Sequence, residues 1–121
     1  MTVLNCHTST VTKDETLTIN GKRTLSVTGD EAHTNKANFS SDVSGNFTLK
    51  VSGNISIEAS GSVSIKSGTT FENQAGTSLT NKSGTDMTNE AGTTLTNKAS
   101  ASQTVDGGGM LTVKGGMVKI N

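Results

Sequence analysis

The stretch Gly45-Asn-Phe47-Thr-Leu49-Lys-Val51-Ser-Gly53-Asn-Ile55-Ser-Ile57-Glu-Ala59-Ser60 decides how this chain is read. Its two glycines stand eight residues apart, and after each one apolar residues alternate with polar or charged ones. Alternation over such a short span predicts a strand with one covered face. A fixed short period predicts a repeat architecture rather than an ordinary globular core.

Working outward, Gly61 extends the first glycine series, and Gly68, Gly76, Gly84 and Gly92 form a second at the same step, continued by Gly108 and Gly116. The step from Gly61 to Gly68 is seven, yet the side-chain columns do not slip. Phe47, Ile55, Val63, Phe71, Leu79, Met87, Leu95, Gln103 and Leu111 form one unbroken series at steps of eight. Leu49, Ile57, Ile65, Asn73, Asn81, Asn89, Asn97, Val105 and Val113 form a second. A third runs from Val51 and Ala59 to Gly107 and Gly115. All are odd-numbered, and residues of one parity share one face of a strand. The odd face is therefore expected to point inward, with the glycine at the bend between strands, where it tolerates a tight backbone.

Upstream the pattern weakens. Gly21 and Gly29 keep the first series, with Ala37 in the next slot, and Leu17, Ile19, Leu25, Val27, Phe39 and Val43 keep the odd parity, but His33, Asn35 and Ser41 interrupt it. Residues 1–40 are expected to be a less regular lead-in segment, frayed over Met1–Thr10. Residues 41–121 are expected to form the regular repeat, ending in a tip.

The even face carries Asp42, Lys50, Glu58, Lys66, Gln74, Lys82, Glu90, Lys98, Asp106 and Lys114 at steps of eight, with charge alternating except at Gln74. If successive octads stack, opposite charges face one another. Each exposed pair contributes only about 0.2–1 kcal/mol. Their larger effect is on register, because a slip of one octad sets like charges together.

Composition bounds the answer further. Hydrophobic residues make up 30% of the 121 residues and aromatics 2%, with no Trp or Tyr. A monomer so poor in apolar bulk buries too little surface to offset its ordering entropy. Disorder is opposed by the zero formal net charge and the regular alternation. Association of identical chains resolves the conflict, since copies pool small apolar strips. The absence of proline suits a continuous backbone ladder, to which proline cannot donate.

The same reading excludes several classes. The balanced charge and the lack of an aromatic platform give no argument for nucleic-acid binding. There is no long apolar run for a membrane helix, and Met1-Thr-Val-Leu-Asn-Cys6 does not read as a signal peptide. Cys6 is the only cysteine and cannot form an intrachain disulfide. Sequons at Asn38, Asn46, Asn54 and Asn81 match a glycosylation pattern that arises by chance in a chain this rich in Asn, Ser and Thr. His7, His33 and Cys6 are the only neutral-pH base or nucleophile candidates, and they show neither triad nor metal spacing. Asp14 and Glu15 are adjacent and should point to opposite strand faces. No catalytic residue, metal or cofactor is expected.

Two architectures fit an octad. Three parallel copies can intertwine, each octad forming one side of a triangular prism, or one chain can wind as a solenoid with three octads per coil. A coil of that size encloses a wide lumen that calls for bulky residues, whereas many odd positions here are Ala, Ser, Val and Gly. The fold class expected is therefore all-β, an intertwined triple-stranded β-helix (a β-prism) formed by a homotrimer. At about 4.8 Å per octad, residues 45–116 would make a rod about 43 Å long. Asn73, Asn81, Asn89 and Asn97 then fall inside, where amides need partners. They would bond one another and the backbone in stacked ladders, or hold axial water or an ion.

The C-terminal run Asp106-Gly-Gly-Gly-Met-Leu-Thr-Val-Lys-Gly-Gly-Met-Val-Lys-Ile-Asn121 closely resembles the end of VgrG-type spike proteins of the type VI secretion system. The stretch from Asp14-Glu-Thr-Leu-Thr-Ile-Asn-Gly21 through Arg23 and Val27-Thr-Gly-Asp-Glu31 resembles the sequence leading into that family's needle, and the octads resemble the needle and the related central spikes of contractile phage tails. The resemblance implies a homotrimeric puncturing needle mounted on a contractile tube, driven through a target cell's envelope and capped by a conical protein of the PAAR type. It implies a cap-binding face at Leu111, Met117, Val118, Lys119, Ile120 and Asn121. It also implies residence in the bacterial cytoplasm before firing and delivery into the target cell or the medium afterwards. Nothing in the chain resembles the family's base and hub domains, so a needle fragment or a short natural product is expected, without an effector domain. The alternative is a trimeric fibre or adhesin stalk acting as a binding module. Such a stalk should carry a head or an aromatic groove, and neither is visible.

Overall fold

The computed structural model describes Thr2 and Leu4–Asn121. The expected fraying at Met1–Thr10 thus falls partly, at Met1 and Val3, outside the described residues. The chain divides into two units, Met1–Glu58 and Ala59–Asn121.

What the backbone shows first is a metronomic bend. Within the first unit it bends at residues 4–5, 12–13, 20–21, 28–29, 36–37, 44–45 and 52–53. Within the second it bends at 60–61, 68–69, 76–77, 84–85, 92–93, 100–101, 108–109 and 116–117. The phase never changes. The step of seven between Gly61 and Gly68 is therefore a shift of glycine within the two-residue bend, from its second position to its first. The bends also continue through 12–13 and 36–37, where Thr-Lys and Lys-Ala replace any glycine.

Between bends lie six-residue spans, and here the expected architecture fails. Among the described residues there is no strand and no helix. Among the described residues of either unit, no two that stand twelve or more positions apart bring their Cα atoms within 8 Å. The intertwined triple-stranded β-helix expected from the alternation is not the structure of this chain. The one-chain solenoid fails with it, since its coils would bring residue i close to residue i+24. The physical reason is that a strand is defined by its neighbour: its N–H and C=O groups need a ladder partner, and no span within either unit lies beside another.

The same geometry leaves no core. Every described residue is exposed, and none, apolar or polar, is buried. Phe47 is 73% exposed, Leu49 63% and Ile57 76%. The expectation that odd-numbered residues point inward therefore finds no interior to point into. A folded monomer of this mass exposes about 6,100 Å² and the unfolded chain about 18,000 Å². This chain exposes 13860 Å², which lies nearer the unfolded limit.

Hydrogen bonding agrees. A folded chain of this length carries on the order of 120 internal hydrogen bonds. Among the described residues, one backbone bond closes a turn, from the Met110 N–H to the Gly107 carbonyl at 3.1 Å. Gly108 within that turn has φ 61°, a left-handed conformation that an L side chain rarely adopts. The Gly108 N–H also donates to Asp106 Oδ1 at 2.8 Å, so the Asp side chain braces the turn from outside.

Candidate functional site

The C-terminal tip is the first candidate. It begins at the Asp106–Met110 turn, whose geometry explains its glycines. A Cβ on Gly107 would lie 2.6 Å from the Met110 carbonyl carbon and closer still to its oxygen, so no larger residue fits without opening the turn. Beyond it, Leu111, Met117, Val118, Lys119, Ile120 and Asn121 are all exposed. Met117 is 87% exposed and Ile120 91%. Met117 itself stands in the last bend, after Gly116. These side chains form an accessible apolar end with one cation, Lys119, and they hold no enclosed cavity of their own.

The second candidate is the asparagine column. Asn73, Asn81, Asn89 and Asn97 each occupy the fourth position after a bend, and all are exposed. Asn73 and Asn89 lie more than 8 Å apart at their Cα atoms, as do Asn81 and Asn97. None of the side-chain hydrogen bonds among the described residues joins these amides to one another.

Local side-chain bonds sit on the bends beside this column. Ser67 Oγ donates to the Thr70 carbonyl at 2.7 Å, and Ser83 Oγ donates to the Asp86 carbonyl at 2.6 Å. Each spans a Gly-Thr bend, tying the residue before it to the residue after it. Ala75 and Ala91 hold the corresponding positions in the intervening repeats, so braced and unbraced bends alternate every sixteen residues. That alternation is visible in the sequence as Ser-Gly-Thr against Ala-Gly-Thr, and the structure adds the hydroxyl bonds that distinguish the two.

In the first unit the distinctive contact is aromatic. The His33 and Phe39 rings meet edge to face, with centroids 5.1 Å apart and planes at 70°. A shallow open groove nearby is lined by Ser41, Asp42, Val43 and Phe47. His7 is exposed and lies more than 8 Å from His33 at Cα. Cys6 is a free, exposed thiol. Among the described residues no three His, Cys, Asp or Glu side chains stand together as a metal-binding group.

No helix among the described residues is long and apolar enough to cross a membrane. The chain matches no family model, no curated protein and no solved structure.

Proposed function

We propose that this chain is a structural component, a segment of the puncturing spike of a type VI secretion system, that acts as a homotrimer and carries a PAAR-type cap on its C-terminal end. In this reading it is made in the bacterial cytoplasm, is joined to the contractile tube through base and hub domains, and is expelled into a target cell or the medium. It catalyses no reaction.

The observation that carries the reading is the unpartnered apolar face. Large apolar residues stand exposed along the chain from Leu17 to Ile120, so what covers them must run along most of the chain rather than dock on a patch. Identical copies supply such a cover, because most repeats carry apolar residues at matching positions. What directs the reading to a secretion spike is the resemblance of Asp106–Asn121 to the end of that family's needle. Exposed Met117 and Ile120 give a cap protein an apolar surface to cover.

The test is molar mass by light scattering on the whole chain, followed by capture of a PAAR-type protein. A mass near three chains, persisting in detergent, is expected, with one cap bound per three chains. Met117→Asp with Ile120→Asp should reduce cap capture at least tenfold and leave the mass unchanged. A monomeric chain overturns the reading; a trimer that captures no cap overturns the tip assignment.

A further inference from the structure

The constant bend phase places three charges where the repeats downstream place large apolar residues. Phe47 is the second residue after the bend at 44–45, and Ile55, Val63 and Phe71 hold that position in later repeats. Because the bends continue unbroken at 12–13, 20–21 and 28–29, the same position is held by Glu15, Arg23 and Glu31, and then by Phe39 after 36–37. After His7, which follows the bend at 4–5, the column thus runs minus, plus, minus at steps of one repeat, and it is apolar from Phe39 to Leu95 before Gln103 interrupts it. All three side chains are exposed.

We propose that Glu15, Arg23 and Glu31 form an interaction surface for a second copy of this chain and set the register in which copies meet. This rests on the reading of the chain as a self-assembling component. Two copies laid side by side with no offset would set Arg23 against Arg23 and each Glu against its own counterpart. An offset of one repeat sets Arg23 of one copy against Glu15 or Glu31 of its neighbour, where a guanidinium and a carboxylate can pair through two hydrogen bonds. An offset of two repeats again opposes like charges. The even-numbered ladder makes the same choice: Asp42, Lys50, Glu58 and Lys66 alternate at the same step, so they too pair only across an odd offset. Apolar columns cannot make this choice, because Phe47 against Ile55 and Phe47 against Phe47 are both favourable. Charges within this column discriminate strongly, since like charges brought together out of water add repulsion to the desolvation cost, whereas opposite ones offset part of it by attraction.

The experiment compares the wild-type chain with Arg23→Glu and with the swap Glu15→Arg/Arg23→Glu/Glu31→Arg, reading mass against concentration by light scattering. The wild type is expected to associate, Arg23→Glu to weaken association at least tenfold, and the swap to restore it to within about threefold. Association unchanged in Arg23→Glu overturns the inference while leaving the self-assembling reading standing. Association weakened by Arg23→Glu and not restored by the swap also overturns it, because the position then matters for something other than charge pairing. A monomeric wild type overturns both readings together.

Discussion

The repeats at Ser44-Gly45, Ser52-Gly53 and Ser60-Gly61 and those at Gly68-Thr69 and Gly84-Thr85 differ by one place in where glycine stands within the same bend. That single place decides what the preceding serine can do. In the first group serine is part of the bend itself, and the residue before the bend is Val43, Val51 or Ala59. In the second group Ser67 and Ser83 stand just before the bend, and their hydroxyls reach across it to the carbonyl three residues on. All the side-chain-to-backbone bonds described lie in Ala59–Asn121. The lesson is that the second unit builds part of its shape from local bonds, whereas Met1–Glu58 carries the aromatic edge contact of His33 with Phe39, and both units expose large apolar residues.

The largest test of this contrast is charge insertion in one column. Ile57→Asp should abolish assembly of copies, because a carboxylate placed where partner chains must pack costs several kcal/mol. Asn73→Asp, at the same position two repeats later, should weaken assembly far less, because that position is already polar. Light scattering on both variants checks this, and equal effects would erase the distinction between the two units.

A smaller effect is expected at the turn that opens the tip. Gly107→Ala forces a Cβ onto the Met110 carbonyl, and Gly108→Ala places a side chain at φ 61°. Each should lower the stability of the assembled tip by about 1–3 kcal/mol, read as a fall in thermal midpoint. Gly109→Ala, where a Cβ meets nothing within 4 Å, is the control and should change little.

The smallest effect concerns the braces. Ser67→Ala and Ser83→Ala should each cost about 0.5 kcal/mol or less, the low end for an exposed hydrogen bond. Ala75→Ser and Ala91→Ser should recover a similar amount by bracing the intervening bends. Proton–deuterium exchange at the residues flanking each bend would show it. If Ala75→Ser leaves exchange unchanged, the braces are not set by position in the bend.

Much of the repeat was legible in advance. The glycine spacing marked the bends, and the odd-numbered columns kept their phase through the change at Gly61–Gly68, as the bends do. The slot that Ala37 fills in the glycine series marks the bend at 36–37, but the bend at 12–13 was not legible, because Thr-Lys carries no turn chemistry. Glu15, Arg23 and Glu31 already stand at steps of eight from Phe47 in the sequence, and the backbone adds that a bend precedes each of them at the same distance. The asparagine column could be named from spacing, and the tip residues only from the resemblance of Asp106–Asn121, and neither says whether one chain assembles them into a site.

By itself the sequence determined a period of eight, the columns that the period creates, and a shortage of apolar bulk that a lone chain cannot overcome. Period and alternation are local properties, set by neighbouring residues and by where glycine relieves a bend. Only the tertiary structure decided that no strand ladder and no core form within the described residues of one chain. Pairing joins backbones distant in sequence, and alternation declares that a face wants cover without stating which backbone will provide it.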